Sequence, residues 1–176
     1  MKTINNYEIG FTKKEDREKV EAMAKFFFES DYKLDLEKLP TEEGESIISE
    51  ICDQVSDSAI QTTETISLVA RNLENGDILG FLSAETYRRD GILIKFIITN
   101  KEYQVSLIYK DFLIGAIQQL VQYFGKKRLM ILLADKNQKG VAFVKRTFKT
   151  QVFDMGDQAM MEIFWPQYFF ENNIKI

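Results

Sequence analysis

Apolar and polar residues alternate through Tyr7-Glu8-Ile9-Gly10-Phe11, the period of a half-buried strand. The period then changes. Thr12-Lys13-Lys14-Glu15 has the form of a capping box, in which the Thr12 hydroxyl accepts the Glu15 N–H and the Glu15 carboxylate reaches back. Behind it Val20, Met23, Ala24 and Phe27 recur at helical spacing, and Phe26-Phe27-Phe28 overfills that apolar face. Polar, irregular sequence from Asp31 to Pro40 precedes a second helical pattern, which starts near Thr41 and carries Ile47, Ile48, Ile51 and Val55. Its first turn holds Glu42, Glu43 and Glu45, charges that suit the positive end of a helix dipole. A loop rich in Ser, Thr, Asp and Gln fills 56–65.

Three strands follow: Ile66–Arg71, Ile78–Tyr87 and Ile92–Ile98. Asn75-Gly76 and Asp90-Gly91 lie between them, pairs that tolerate positive φ and so predict two tight hairpins and an antiparallel meander. A short polar loop leads to a long amphipathic helix over about Ser106–Phe124, with Ile108, Phe112, Ala116 and Leu120 on one face and Gly125 as its stop. Leu129–Ala134 is continuously apolar, as in a strand buried on both faces, and its place after a helix predicts a parallel pair with the preceding strand. Asp135-Lys136-Asn137 opens a helix carrying Val141, Val144 and Phe148, and Gln151–Met155 with Ala159–Phe164 reads as a last hairpin around Gly156-Asp157. The fold class is therefore α/β of the α+β type: one domain over 1–176, with a mixed, mostly antiparallel central sheet of about seven strands and helices on both faces.

Composition narrows the chemistry. The chain of 176 residues is 45% hydrophobic and 28% charged, ordinary for a globular protein. Its net charge of −4 argues against a nucleic-acid partner, and Gly125-Lys126-Lys127-Arg128 reads as a charged helix end. Histidine is absent, which removes Ser-His-Asp and Cys-His catalysis and imidazole zinc sites; no metal is expected. Cys52 has no intramolecular disulfide partner and reads as a buried structural thiol. No apolar run spans a bilayer and none resembles a signal peptide, so a cytoplasmic protein without membrane contact is expected.

The order of elements resembles the GNAT superfamily, the Gcn5-related N-acetyltransferases. Leu79-Gly80-Phe81 is similar to that family's apolar-Gly-Phe, and Asn137, Gly140 and Phe143 are similar to its N-x-x-A-x-x-F element, with glycine for alanine. The resemblance implies acetyl-coenzyme A as co-substrate. The strand ending Ile97-Ile98-Thr99 would hydrogen-bond the pantetheine arm, and the loop and helix start Gln104-Val105-Ser106-Leu107-Ile108-Tyr109 would wrap the pyrophosphate, with Asn137 and Phe143 nearby. A helix N-terminus and a nest of backbone N–H groups supply the physics. Gln104 matches the family's Q/R-x-x-G-x-G/A loop, whereas Leu107 and Tyr109 stand where small residues belong. Forcing such a residue into the left-handed region costs about 1–2 kcal/mol, comparable to the gain from the helix dipole.

The family's frequent tyrosine acid falls at Val144, and the strand before the loop offers Lys95 where the family often has a carboxylate. Glu85 and Tyr87, two residues apart and so on one sheet face, are the candidate base relay and acid; a solvent-facing pair is the competing reading. Proximity alone can drive much of such a transfer. Two functional readings follow. One is an acyl-CoA-dependent N-acetyltransferase acting on a small-molecule amine or a protein N-terminus or lysine. The other is a GNAT-fold module that binds a small molecule or protein without catalysis. The aromatic run Phe164-Trp165-Pro166-Gln167-Tyr168-Phe169-Phe170 reads as C-terminal packing or as a homodimer surface.

Overall fold

The structure is a computed structural model that describes residues 6–31, 41–100, 102–103, 108–125, 128–134, 138–156 and 158–175. In chain order the elements are β1 (Tyr7–Phe11), a 3-10 turn (Lys14–Asp16), α1 (Arg17–Asp31), α2 (Thr41–Ser58), β2 (Thr65–Asn72), β3 (Ile78–Tyr87) and β4 (Gly91–Thr99). They continue with α3 (Tyr109–Phe124), β5 (Arg128–Ala134), α4 (Gln138–Thr147), β6 (Thr150–Asp154), β7 (Gln158–Ile163) and α5 (Trp165–Glu171). The seven strands form one sheet in the order β1-β2-β3-β4-β5-β7-β6. Only β4 and β5 run parallel, as a strand–helix–strand crossover requires. This is the expected mixed, mostly antiparallel sheet.

Helices cover both faces. On one, Val20, Met23, Ala24 and Phe28 of α1 and Cys52 and Val55 of α2 pack on Val69, Ile78, Phe81 and Ile98. On the other, Phe112, Leu113, Ala116, Ile117 and Leu120 of α3 meet Leu68, Leu79, Leu82, Ile92 and Ile94, and α4 and α5 continue that layer over β5 and β7. The helical stripes differ in detail from the sequence reading. In α1 Phe28 closes the buried face and Phe27 packs edge-on against it at 5.3 Å. In α2 Ile47 is exposed and Cys52 takes the inward place, as a buried free thiol raised above its ordinary pKa chiefly by burial. The helix runs to Ser58, into the expected loop.

Two bulges set which residues meet which layer. Opposite Ala70 and Arg71, β3 carries Leu79 as an extra residue, so Leu79 and Gly80 both face α3. Opposite Ser83 and Ala84, β4 carries Lys95 as an extra residue. Ile92 and Ile94 therefore face α3, whereas Phe96 and Ile98 face α1 and α2. The Leu79-Gly80-Phe81 motif has a packing reason. A Cβ on Gly80 would lie 2.9 Å from Cε1 of Phe112, a fully buried ring with no room to retreat.

The turns depart from the expected tight hairpins. In the β2–β3 turn only Gly76 takes positive φ, +72°, and Asn75 uses its side chain instead to accept the Asp77 N–H at 3.0 Å. In the β3–β4 turn Arg88 takes positive φ, +55°, and its guanidinium lies over the Tyr87 ring. Gly91 is the first residue of β4, and a side chain there would strike the Tyr87 carbonyl and the Met130 methyl, each 2.7 Å away.

The expected Thr12–Glu15 capping box is replaced by one that begins a residue later. Asp16 Oδ2 accepts the Lys13 N–H at 2.8 Å and the Arg71 guanidinium at 2.7 Å, while Arg71 also donates to Glu8 at 2.6 Å. Asp16 does what Glu15 cannot: it caps the helix and neutralises a guanidinium coming from β2. From its second residue, Trp165, the Phe164–Phe170 run forms α5. Trp165 and Phe169 are buried, and Phe170 points outward, 86% exposed.

Two stability measurements test this packing. Gly80→Ala is expected to lower the unfolding free energy in urea by about 1–3 kcal/mol, the cost of overpacking a rigid core. Asp16→Ala, which strands Arg71 and uncaps the helix, is expected to cost about 2–4 kcal/mol in the same assay.

Candidate functional site

The site grows out of the place where the sheet comes apart. β4 and β5 pair from Gly91↔Arg128 to Ile94↔Ile131 and no further. Beyond that point β5 runs on to Ala134 paired only with β7, and β4 runs on to Thr99 paired only with β3. The Lys95 bulge is the first residue past the last pair. Among the described residues, the β5-facing backbone groups of Lys95–Thr99 have no strand partner. An unpaired ladder is a row of donors and acceptors suited to an extended amide-containing ligand. Later in the chain comes α3, whose first N–H groups are free of intrahelical partners.

Ile97, Ile98 and Thr99 all lie on this unpaired margin. Ile98 is 1% exposed and its side chain belongs to the α1/α2 core, so only its backbone is offered to the cleft. Ile97 packs toward α3. At the start of α3, Ile108 is buried and Tyr109 meets Phe143 of α4 edge to face, ring centroids 4.7 Å apart. Ile108, Tyr109 and Phe143 thus form one apolar wall. Burial pushes the Tyr109 hydroxyl up to about 12. Gln104, Val105, Ser106, Leu107 and Asn137 lie outside the described residues.

Glu85 and Tyr87 do share one face of β3, the face toward α1 and α2, where Glu85 stands opposite Leu93 and Tyr87 opposite Gly91. The Glu85 carboxylate lies 3.4 Å from Nζ of the bulged Lys95, in a half-exposed ion pair at the apex of the cleft. Tyr87 stands further from the opening, under Arg88. The structure therefore joins Glu85 to Lys95 rather than to Tyr87. Val144 is 1% exposed in the α3-side core and brings no proton-transfer group to the cleft. The bulge itself escaped the sequence reading. Its signal was the single lysine interrupting Ile94-Lys95-Phe96, where strict alternation would put Ile94 and Phe96 on the same face.

A second concavity, of about 470 Å³, separates α1 from α2 and is lined by Glu21, Glu29, Glu45 and Asp53, with Lys25 as the opposing charge. Among the described residues no group of three or more His, Cys, Asp or Glu is placed to hold a metal ion, and no helix is long and apolar enough to cross a membrane.

No family model matches the sequence, and a search of the curated proteins finds no match. Solved structures do match. The PaiA N-acetyltransferase of Thermoplasma acidophilum, in complex with coenzyme A, superimposes with a TM-score of 0.70 at 19% identity, over 91% of this chain and 100% of that one. A chimera of the spermidine N-acetyltransferase SpeG from Vibrio cholerae and hSSAT gives 0.64 at 13% identity, over 94% and 99%. Apo FdhC, a nucleotide-linked sugar GNAT, gives 0.64 at 11% identity, over 98% and 93%. The chain has the GNAT acetyltransferase fold.

The wall at the start of α3 is open to a spectroscopic test. Between its ordinary pKa of 10 and the folded value near 12, Tyr109 holds its proton in the folded protein and loses it in the unfolded chain. Its contribution to stability is fully present below pH 10 and disappears as pH rises through 12. In an alkaline ultraviolet titration, Tyr109→Phe is expected to remove one late-ionising tyrosine; loss of an ordinary one near pH 10 would show the ring open to water. Tyr7, raised by burial and by Asp111, stays in both traces and serves as the internal reference.

Proposed function

We propose that this protein is an N-acetyltransferase that moves an acetyl group from acetyl-coenzyme A to an amine. The observation that carries the proposal is the parting of β4 from β5 at Lys95, within a fold shared with acetyltransferases. The amide-rich pantetheine arm suits the unpaired margin Lys95–Thr99, through backbone groups of Ile97, Ile98 and Thr99. The pyrophosphate belongs at the N-terminus of α3, with Gln104, Val105, Ser106, Leu107, Ile108 and Tyr109, and with Asn137 and Phe143 alongside.

In the reaction the neutral amine nitrogen attacks the thioester carbonyl carbon. The C–S bond breaks, the sulfur leaves as thiolate and takes up a proton, and the amine's surplus proton passes to solvent. Holding the two reactants side by side at the apex supplies most of the rate. Glu85, with Lys95 Nζ 3.4 Å from its carboxylate, is the candidate to relay the amine's proton to solvent through water. Tyr87 is the acid candidate for the thiolate. The carboxylates lining the α1/α2 concavity create a negative field near one approach to the sheet and support a cationic acceptor, a small amine or a protein N-terminus or lysine.

A second reading, a binding module without catalysis, is favoured by one observation: Tyr109 packs on Phe143 where the resemblance puts small residues and coenzyme. A thermal shift separates the two. Acetyl-coenzyme A at 100 times its dissociation constant adds about 2.7 kcal/mol, or roughly 5–10 °C in melting temperature for a chain of this size. With spermidine and a lysine-bearing peptide as probe amines, mass spectrometry of the mixture reads the acetylated product. No shift with millimolar coenzyme rejects the transferase, and a shift without hydrolysis or transfer supports the binding module.

A further inference from the structure

A buried tyrosine at the mouth of the coenzyme loop is tied into a turn that the proposed reaction does not otherwise use. Tyr103 is 2% exposed, and its ring belongs to the α3-side core. Its hydroxyl donates to Asp77 Oδ2 and accepts from Asn75 Nδ2 at 3.0 Å. Asn75 Nδ2 also reaches Asp77 Oδ2 at 3.0 Å, so the three side chains close a ring of hydrogen bonds. The turn bearing Asn75 and Asp77 is itself held on several sides. The Gly76 N–H donates to the Asn72 carbonyl at 2.8 Å, the Asn72 N–H to the Asp77 carbonyl at 2.9 Å, and Lys19 Nζ of α1 to the Gly76 carbonyl at 2.7 Å.

Asn100 completes the attachment. Its N–H donates to the Leu79 carbonyl at 2.9 Å and its side-chain Nδ2 to the Ile78 carbonyl at 3.0 Å. Its Oδ1 accepts the Glu102 N–H at 3.0 Å, and its own carbonyl accepts the Tyr103 N–H at 3.3 Å. The chain thus leaves β4 and reaches Tyr103 along a path pinned to β3 and to the β2–β3 turn. Gln104, the residue that matches the coenzyme loop, comes next in sequence.

Resting on the transferase reading above, we infer that Asn75, Asp77, Asn100 and Tyr103 are positioning residues for the coenzyme: they hold the entry of the pyrophosphate loop in its binding position. The physical need follows from the loop's composition. Where glycines are present, the backbone can close on a diphosphate at little steric cost. With Leu107 where a glycine belongs, and Tyr109 already the first residue of α3, the backbone has fewer conformations that fit, so its starting point must be set in advance. An anchor formed on folding removes ordering entropy from the binding step. At the exit of the same loop, the Tyr109–Phe143 contact is the matching fixed point.

The test uses the whole chain and coenzyme A as the probe. Tyr103→Phe deletes one hydroxyl and leaves the ring in the core; Asp77→Ala deletes its partner, and Asp77→Asn keeps an acceptor oxygen. Gln61→Ala is the control. Gln61 donates to the Thr12 and Ser67 carbonyls at the opposite end of β2, so its loss lowers stability away from the loop. Calorimetry is expected to show coenzyme A affinity about tenfold weaker in Tyr103→Phe and in Asp77→Ala, the net size of one charge-assisted hydrogen bond. Affinity is expected to be largely restored in Asp77→Asn and unchanged in Gln61→Ala. In turnover the loss should fall on KM for acetyl-coenzyme A, with kcat nearly constant. Wild-type affinity in the folded fraction of both Tyr103→Phe and Asp77→Ala, with only the melting temperature lowered, would overturn the inference. Absence of coenzyme A binding by the wild type would instead remove the transferase reading itself, and the two failures are distinguished by the wild-type titration alone.

Discussion

The ladder between β4 and β5 holds from Gly91↔Arg128 to Ile94↔Ile131, and the extra residue Lys95 follows at once. A bulge leaves its extra residue unpaired, bends its strand and sharpens the local twist, and here it falls where the parallel ladder ends. The break therefore does three things together. It opens a row of backbone donors and acceptors, it swings Phe96 and Ile98 to the α1/α2 side, and it carries Lys95 to Glu85. The rest of the site is built against this opening: α3 starts beyond its wide end, and β5 with β7 forms the opposite bank.

Two polar networks brace the sheet on the side of β4 away from the opening. Arg71 in β2 gathers Glu8 and the helix-capping Asp16, tying β1, β2 and the start of α1 together. The Tyr103–Asp77–Asn75 ring ties the β2–β3 turn to the segment leading into α3. Asp16 and Tyr103 are almost wholly buried, and each bonds residues distant in sequence, Asp16 to Arg71 and Tyr103 to Asn75 and Asp77. The opening between β4 and β5 is thus flanked by structure that is firmly attached.

The chemistry at the apex is sparse, and that shapes the functional reading. Val144 lies in the core, and the only ion pair facing the cleft apex among the described residues is Glu85 with Lys95. A transfer whose main requirement is to hold a thioester beside an amine asks less of acids and bases than of geometry. Solved structures at 11–19% identity share the overall fold with few of the same side chains.

Period alone made the elements legible. The alternation in β2, β3 and β4, the unbroken apolar run of β5 and the long apolar face of α3 each needed only local burial, and they fell where expected. Glu85 and Tyr87 were legible as a pair because side chains two apart on a strand share a face. The bulges, the Asp16 cap and the role of Tyr103 were not. Each depends on a partner far along the chain: Lys95 on the end of pairing with β5, Asp16 on Arg71, Tyr103 on Asn75 and Asp77. Local pattern decides which way a residue faces in an ideal strand or helix, and so the sequence by itself determined the order of the elements and the class of sheet. Whether that sheet stays closed, and what its loops are tied to, rests on contacts between residues tens of positions apart, and only the tertiary structure decided those.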